Sequence, residues 1–315
     1  NSRNKIVRFR EIIHELNPGD ALILNDTKVI HADFDGFIEN KKISINLNKL
    51  EDKKKNLWSV FIKTKKKLKE GDKIKIFNIF NAQVTSIKST LVYVRFDLTY
   101  KEFKKGIEKF GRAPLPPYIK KRGHNKSDFT NYQTVFAKND GAVAAPTASL
   151  HFTKELMRLL KKKKVKIIKI TLHVNGGTFI PIRVDKVTQH SMHYEDGIIS
   201  KKSAQEINKV KTDGGKIIAV GTTVLRLLES SKDENGYIKP FKASTNIFIA
   251  PGWKINSVDG IITNFHTPRS TLLLLIYALI GKKKTQQLYN FAIRKKLRFY
   301  SYGDACLIWN NNVKT

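Results

Sequence analysis

The chain of 315 residues is long enough to bury one large hydrophobic core or two medium ones. Hydrophobic residues make up 41% of it and aromatic residues 10%, which excludes a generally disordered chain. Lys and Arg number 59 against 27 Asp and Glu, and the net charge of +32 favours a polyanionic partner such as nucleic acid. An AT-rich genome would also raise the lysine content, but it would not by itself lower the number of acidic residues.

The single cysteine, Cys306, excludes a disulfide framework and a cysteine-rich zinc site, and it is typical of a protein of the reducing cytoplasm. The longest apolar run extends from Leu272 to Ile280, far short of the roughly 20 residues that a membrane-spanning helix needs. We therefore expect a cytoplasmic protein with no membrane partner.

The N-terminal part of the chain is predicted to form strands and turns. NPGDALILNDTKVI, residues 17–30, predicts a turn followed by a buried strand. From Ala32 to about Asp97, the strands ISINL, LWSVFIKT, DKIKIF and LVYVRF alternate with lysine-rich connectors, which predicts an all-β module. A helix is expected over residues 100–110, and the prolines of GRAPLPPYIKK, residues 111–121, indicate a rigid extended linker.

Beyond the linker, predicted helices and strands alternate, which is typical of an α/β domain. TKELMRLLKKKK predicts a helix capped by Thr153, and SAQEINKVKTDG predicts one that opens with a capping box of Ser203 and Glu206. TTVLRLLESS predicts a helix capped by Thr222 or Thr223, and the further predicted helices are STLLLLIYALIG and TQQLYNFAIRKK. The predicted strands are VKIIKITLHV, KIIAVG, NIFIAPG and IITNF. We interpret the β module as an insertion after the first strand of this domain.

Six of the eight histidines lie in or near uncharged stretches at the ends of predicted strands or helices: His31, His151, His173, His190, His193 and His266. A single histidine in such a place is more often a satisfied core or loop residue. Because α/β folds place their sites on loops at strand ends, the joint pattern predicts a functional site there.

The uncharged segment GAVAAPTASLHFT, residues 141–153, is predicted to line a close-fitting pocket. Its small residues would let the backbone approach a ligand, with His151 presented at the pocket edge. The alternative is a tightly packed turn between domains that is capped by Thr153.

Two weaker signals concern ligands. His190 and His193 have an i, i+3 spacing that suits a metal, with Glu195 nearby, but HExxH and an acidic cluster are lacking and we expect no metal. The stretches 175–178 and 221–223 offer backbone N–H groups to a ligand, the second at the start of a helix, and an ordinary turn is the alternative. The motifs GxxxxGK[ST], GxGxxG and GxSxG are all missing, so the usual nucleotide loops and serine hydrolase chemistry are unsupported.

Basic runs are spread along the chain and would suit a surface that follows an RNA backbone, although a solvated face explains each run alone. They lie at residues 53–55, 63–69, 161–164, 282–284 and 294–298.

Seven stretches form a specific series in chain order: GRAPLPPYI, NYQTVFAKNDGAVAAPTASLHFT, TLHVNGGTFIPIRV, HSMHYE, IAVGTTVLRLLES, FIAPGWKINSVDGIITNFHTPRSTLLLL and RFYSYGDACLI. With this series the chain resembles the S-adenosylmethionine:tRNA ribosyltransferase-isomerase family of queuosine biosynthesis. The resemblance extends from about Gly19 to Ile308 and is weakest through the β module.

The resemblance implies a mixed-sheet α/β domain of residues 1–31 and 112–315, with an inserted β-barrel-like domain of residues 32–111. It implies an enzyme that moves and isomerises the ribosyl moiety of S-adenosylmethionine onto 7-aminomethyl-7-deazaguanine at the first anticodon position of tRNA. Epoxyqueuosine forms, and adenine and methionine leave. The implied partners are the tRNA anticodon stem-loop and S-adenosylmethionine, which is a consumed co-substrate, so no cofactor is expected. We expect a monomer.

The chemistry proposed for this family removes a proton from the ribose 5′ carbon, releases adenine and expels methionine on ring closure, which requires a base, an acid and a dry pocket. Catalytic roles are expected for His151, His173, His193, Glu195 and Asp304. Substrate-binding roles are expected for Arg112, Thr147, Gly177, Thr178, Arg226, Asn264 and His266. The two arginines would hold the methionine carboxylate or a phosphate.

Departures from the family pattern occur at Ser149, Asn175-Gly176, Tyr194 and Thr267, and in ADFDG from Ala32. They leave open an alternative, a catalytically impaired RNA-binding homologue on the same scaffold. A hydrolase or methyltransferase that acts on RNA with the same donor is a further alternative. Product analysis separates them, because free adenine and methionine indicate ribosyl transfer, whereas S-adenosylhomocysteine indicates methylation.

Overall fold

A computed structural model describes residues 4–77, 79–88, 90–116, 119, 125, 127–176 and 192–310. These residues build a seven-stranded sheet, a two-stranded sheet and a closed six-stranded barrel. All barrel strands lie between Asp33 and Phe96, after the first strand of the large sheet. The predicted fold class, a mixed-sheet α/β domain with an inserted β-barrel, is confirmed. The barrel strands fall inside the range 32–111, while the domain boundaries themselves stay a prediction.

The strands that the structure describes are, in chain order, β1 (Ala21–Asn25), β2 (Thr27–Val29), β3 (Asp33–Ile38), β4 (Lys41–Asp52), β5 (Leu57–Lys63), β6 (Lys73–Ile76), β7 (Phe80–Lys88), β8 (Leu91–Phe96), β9 (Asn139–Ala142), β10 (Lys166–Leu172), β11 (Glu195–Ile199), β12 (Ile217–Val220), β13 (Phe241–Thr245), β14 (Gly260–Asn264) and β15 (Ala305–Trp309). The α-helices are α1 (Tyr100–Phe110), α2 (Asp128–Asn131), α3 (Lys154–Lys162), α4 (Lys201–Thr212), α5 (Thr222–Ser231), α6 (Thr271–Ile280) and α7 (Lys282–Arg294). Two 3-10 helices span Phe9–Glu15 and Thr147–His151.

The large sheet has a parallel centre and antiparallel margins. Its order is β13-β11-β10-β1-β12-β14-β15, and the four strands from β10 to β14 in that order are mutually parallel. Strands β11 and β15 run antiparallel to their inner neighbours. Strand β1 is buried at every position, as expected where helices cover both faces of a parallel sheet.

Successive side chains of β1 point to opposite faces of the sheet, and each face has its own core. Ala21 and Ile23 pack with α4, α5 and α6 on one face. Leu22 and Leu24 pack with α3 and the first 3-10 helix on the other. The domain is therefore a sheet between two helical layers.

The barrel has the order β3-β4-β5-β8-β7-β6 and closes through the pairing of β3 with β6. Helix α1 begins with a capping box of Thr99 and Glu102 and buries Phe103 and Ile107 in the barrel core. The helix predicted over residues 100–110 is confirmed.

The barrel and the large sheet meet around the ends of β9 and β10. Val143 belongs to the barrel core, and its N–H donates to the carbonyl of Val174 at 2.9 Å. At the same junction, Lys49 of β4 forms an ion pair of 3.0 Å with Asp196 of β11. The inserted barrel is thus docked against the edge of the sheet where β10 ends.

Three local predictions differ from the structure. Helix α4 begins at Lys201, and its cap is Ser200, whose hydroxyl accepts from the N–H of Ser203, so the predicted box of Ser203 and Glu206 is wrong. The Ser203 hydroxyl instead donates to the carbonyl of Lys169. Helix α5 begins after Gly221 with no side-chain cap, so the predicted cap of Thr222 or Thr223 is wrong. The predicted strand NIFIAPG is also wrong, since β13 ends at Thr245, before this segment begins. The predicted Thr153 cap of α3 is confirmed.

The described part of the chain contains no helix that combines the length and the apolar character needed to cross a bilayer.

Candidate active site

The four parallel strands end at one edge of the large sheet, which we call the carboxyl edge. Asn264 closes β14 there, and His173 follows β10. Because β11 and β15 run in the opposite direction, Glu195 at the start of β11 and Asp304 just before β15 also lie at this edge. Ligand sites of open α/β sheets lie at this edge, so the topology brings the predicted polar residues to one region.

Asn264 is the centre of one group of side chains at the carboxyl edge. Its side-chain oxygen accepts a hydrogen bond of 2.9 Å from the hydroxyl of Thr147, and its amide nitrogen donates to the carbonyl of Gly303 at 3.2 Å. The same nitrogen lies 3.5 Å from Nε2 of His151. Thr147 and His151 are the two ends of one 3-10 helix, so this short helix presents both to Asn264.

His151 is held by packing more than by hydrogen bonds. Its ring stacks on Phe9, with centroids 4.9 Å apart and planes 25° apart. Burial lowers the pKa of His151 below its usual 6.5, and the smaller opposing effects come from the Asp304 charge and the Gly303 carbonyl. The imidazole is therefore neutral at neutral pH, as a general base must be.

His173 lies on the other side of β1, after β10. Its Nδ1 is 2.8 Å from the hydroxyl of Thr27, which comes two residues after β1. Burial is the largest cause that lowers the pKa of His173, against the charges of Asp196 and Asp26. This second histidine is also neutral at neutral pH, and Thr27 holds its ring.

Gly141 makes room for the His173 ring. Gly141 has a φ of +146°, and a Cβ added there would lie 2.8 Å from Nδ1 of His173. The neighbouring small residues are buried in different cores, Val143 in that of the barrel and Ala148 in that of one sheet face. The segment 141–153 therefore packs against the protein itself as well as presenting His151.

Glu195 and Arg226 form an ion pair of 2.6 Å, with side chains only 3% and 4% exposed. Glu195 also accepts from the backbone N–H of Asn175 at 3.2 Å. Within the described part of the chain, Nε and Nη2 of Arg226 are buried and make no hydrogen bond. Two nitrogens of this guanidinium can therefore still donate to a ligand. Arg226 lies one turn after the start of α5, which is at the carboxyl edge.

His266 and Asp304 have partners inside the protein. Nε2 of His266 lies 2.9 Å from the hydroxyl of Thr263, and burial lowers the pKa of His266 to about 4. Asp304 forms an ion pair of 2.7 Å with Arg298, which is the main cause that lowers the pKa of that carboxyl group. Asp304 is thus an anion next to the His151 region.

Arg112 lies beside the first barrel strand, β3, where its backbone pairs with that of Asp33. Its two terminal nitrogens bind the two carboxylate oxygens of Asp35 at 2.9 and 3.0 Å, and Asp33 lies 3.6 Å away. The hydrogen bonds from Arg112 lower the pKa of Asp35 to about 2. Arg112 is therefore neutralised by the barrel, in contrast to Arg226, and its predicted substrate role stays a prediction.

The predicted residues not yet described are His193, Gly177, Thr178 and His190. His193 precedes β11 by two residues, in a partly buried position. Gly177, Thr178 and His190 lie outside the described residues. The described residues contain no group of three or more His, Cys, Asp or Glu side chains that could hold a metal ion.

Sequence reasoning missed the residues that hold the predicted ones. Thr27 bonds to His173, and Asn25 uses its side chain to bond both the N–H and the carbonyl of Leu172. Asp26 accepts from Thr171 at 2.6 Å and from Asn139 at 3.0 Å. The available signal was the polar triplet Asn-Asp-Thr directly after the buried run of β1, which is where an α/β fold places its site.

The fold and the site together define an α/β protein with an inserted barrel and a polar, histidine-containing site at the carboxyl edge of its sheet. A family model described as "Queuosine biosynthesis protein" matches residues 1–308. The chain belongs to this family, which confirms the resemblance drawn from its motifs.

Individual relatives carry a more specific name. The chain is 43% identical over 306 residues to the S-adenosylmethionine:tRNA ribosyltransferase-isomerase of Ruegeria pomeroyi, covering 95% of this chain and 87% of that protein. It is 45% identical over 294 residues to the protein of the same name from Zymomonas mobilis, covering 93% and 85%. Among solved structures, S-adenosylmethionine tRNA ribosyltransferase from Thermotoga maritima is similar with 28% identity and a TM-score of 0.49, covering 95% and 86%.

Proposed function

We propose that this chain is a tRNA-modifying enzyme that transfers and isomerises the ribosyl moiety of S-adenosylmethionine. The acceptor is 7-aminomethyl-7-deazaguanine at the first anticodon position, and the products are epoxyqueuosine in the RNA, adenine and methionine. The observation that carries the proposal is the identity of 43–45% over nearly the whole chain with relatives named for this reaction. S-adenosylmethionine is consumed as a substrate, and no resident cofactor is part of the proposal.

The first chemical step needs a base for the ribose 5′ proton, which the adjacent sulfonium acidifies. His151 and His173 are suited to this role because burial keeps both imidazoles neutral at neutral pH. A histidine that has accepted this proton becomes an imidazolium, and an imidazolium is the acid that adenine departure requires. One histidine can therefore serve both steps.

Electrostatics at the carboxyl edge favour these intermediates. The Asp304 carboxylate raises the pKa of His151 relative to burial alone, so it stabilises an imidazolium there. The polar side chains of Thr147 and Asn264 are already joined by a hydrogen bond. They therefore lose little conformational entropy when a substrate binds. Both features support His151 as the residue closest to the reacting ribose.

The methionine carboxylate of the donor requires a cation, and Arg226 supports this role better than Arg112. The guanidinium of Arg112 already makes a two-point contact with Asp35. One terminal nitrogen of Arg226 donates to Glu195, and its two other nitrogens make no hydrogen bond among the described residues. An anion bound there would accept hydrogen bonds from these two nitrogens, whose burial without a partner is otherwise destabilising.

The test is an incubation of the purified protein with S-adenosylmethionine and an anticodon stem-loop that carries the aminomethyl deazaguanine. Adenine release is measured together with the mass of the RNA. Adenine in equal amount to RNA with the epoxyqueuosine mass is the expected result, and His151→Ala and His173→Ala should abolish both. Bound but unchanged RNA without adenine would favour the RNA-binding homologue, and S-adenosylhomocysteine would favour a methyltransferase.

We further propose that the protein acts in the cytoplasm as a monomer on the anticodon stem-loop. The reduced state expected of Cys306 and the proposed tRNA substrate support the compartment. Light scattering of the purified protein, alone and with the stem-loop, tests the oligomeric state.

A further inference from the structure

A short loop, residues 298–304, closes on itself at the carboxyl edge, and we call it the rim loop. The N–H of Asp304 donates to the carbonyl of Arg298 at 2.8 Å, and the N–H of Gly303 donates to the carbonyl of Tyr300 at 3.0 Å. The guanidinium of Arg298 and the carboxylate of Asp304 add an ion pair of 2.7 Å across the ends of the loop. These bonds give the rim loop a defined shape.

The inner side of the rim loop supports the candidate active site. The carbonyl of Gly303 accepts from the Asn264 amide at 3.2 Å, and Asp304 lies within electrostatic range of His151. The N–H of Tyr300 donates to the carbonyl of Phe265, directly after β14, at 3.1 Å. A molecule that contacts the outer side of this loop is therefore next to the reacting groups.

The outer side of the rim loop exposes two aromatic rings. Tyr300 is 44% exposed and Tyr302 is 37% exposed. Tyr300 has a φ of +73°, in the left-handed region that is strained for a bulky residue. The Tyr300 ring contacts Phe299 and the Tyr302 ring contacts Tyr132, both edge-on, yet more than a third of each residue stays exposed. The exposure of both rings and the backbone strain at Tyr300 together point to a function of the exposed surface.

The surroundings of these rings are basic. No acidic residue occurs between Ala292 and Gly303, a stretch with four exposed basic residues: Arg294, Lys295, Lys296 and Arg298. A further exposed arginine, Arg269, stands on the loop that follows Phe265, and it also has a positive φ, +54°. Exposed aromatic rings among cations are the combination that binds single-stranded nucleic acid, through base stacking and phosphate contacts.

We propose that the rim loop is a docking surface for the unpaired bases of an RNA loop, with Tyr300 and Tyr302 as stacking platforms and the flanking basic residues as phosphate contacts. This inference rests on the proposed function, since it assigns the RNA substrate to one surface. The surface lies beside His151, so an RNA loop bound there has a nucleotide within reach of the carboxyl edge.

The experiment measures the dissociation constant of the anticodon stem-loop for four variants of the whole 315-residue chain. Tyr300→Ala and Tyr300→Gly remove the ring, and Tyr300→Phe keeps it. Tyr237→Ala is the matched control, because Tyr237 is also exposed, at 38%, but lies beyond the far end of α5. Thermal unfolding and adenine release at saturating RNA are recorded for every variant.

Loss of the ring should weaken stem-loop binding roughly tenfold or more, the usual effect of removing one stacked aromatic. Tyr300→Phe and Tyr237→Ala should bind like the parent chain. Tyr300→Gly relieves the backbone strain, so it should bind weakly while unfolding at the same or a higher temperature, which a merely structural role would not produce. Equal binding by all variants would refute the surface and leave the proposed function standing if adenine is still released. Failure of the parent chain to bind the stem-loop would refute the surface, whereas binding without adenine release would refute the proposed function alone.

Discussion

At the scale of single residues, the site depends on side chains that hold the histidines. The Thr27 hydroxyl contacts one nitrogen of His173, and Gly141 leaves the space in which the ring lies. Asn264 plays a similar part for His151 from the end of β14. In the proposed mechanism a histidine is a useful base only when its free nitrogen faces the substrate, so we expect these residues to act by orienting the ring.

Gly141→Ala should damage catalysis without preventing RNA binding. The new methyl group would meet the His173 ring at 2.8 Å and displace it from Thr27. We expect adenine release to fall about tenfold or more, by analogy with other small misplacements of reacting groups. Gly214→Ala is the control, because Gly214 also has a positive φ, +78°, but a Cβ there meets nothing within 4 Å. Equal losses in both variants would show that backbone strain, and not the histidine, causes the effect.

Acid should destabilise the protein through its partly buried histidines. Their pKa values are lowered in the folded chain, so the unfolded chain binds protons first as the pH falls below about 6.5, and stability present above that pH is lost. For His266, whose pKa is about 4, the loss between neutral pH and pH ~5.5 is about 1 kcal/mol. Denaturant unfolding at the two pH values measures it. His266→Gln should reduce the pH dependence by that amount, and an unchanged dependence would contradict the assignment.

At the scale of elements, one buried ion pair joins a strand to a helix. Glu195 opens β11, Arg226 lies on α5, and their bond connects the carboxyl edge to the helical layer. Since both side chains are almost fully buried, the loss of one partner leaves the other charge uncompensated.

Glu195→Gln should lower the free energy of unfolding by about 3 kcal/mol, because it leaves the Arg226 cation buried without its anion. The double variant E195Q/R226M should recover much of this loss. Glu206→Gln is the control, since its ion pair with Lys202 is exposed and should contribute less than about 1 kcal/mol. A Glu195→Gln protein that is fully stable but inactive would contradict this prediction and indicate a functional role for the Glu195 carboxylate.

Helix boundaries illustrate how local signals compete. Ser200 and Ser203 are both acceptable caps by sequence, and Ser203 has the better-placed glutamate three residues later. In the folded chain the Ser203 hydroxyl is directed to the carbonyl of Lys169 on the neighbouring β10, and Ser200 caps the helix. A tertiary contact thus decided between two caps that the sequence alone allows.

At the scale of the whole molecule, the net charge of +32 should dominate RNA affinity. Each phosphate contact releases a counterion, so stem-loop binding should weaken about tenfold or more between ~50 mM and ~200 mM salt. Adenine release at saturating RNA should change little, because the proposed catalytic residues at the carboxyl edge are partly buried and less screened by salt. Titrations at several salt concentrations give the slope. A flat salt dependence would contradict an electrostatic RNA surface.

The position of the barrel is also a property of the whole molecule. Its docking contacts join distant parts of the chain, as in the Lys49–Asp196 ion pair and the bond from Val143 to Val174. Neither contact follows from a local pattern, since each depends on how the barrel core and the sheet cores are oriented.

The sequence by itself determined the fold class, the elements of the barrel and the carboxyl-edge position of His151, His173 and His266, whereas His31 lies against helix α1 and His190 lies outside the described residues. Hydrophobic periodicity and helix caps are local, and the ends of parallel strands meet wherever such a sheet forms. Only the tertiary structure decided that Arg226 is paired with Glu195, that Arg112 is neutralised by Asp35, and that Thr27 and Gly141 hold His173. These contacts join residues far apart in the chain, and their geometry is set by the packing of strands and helices that no local pattern encodes.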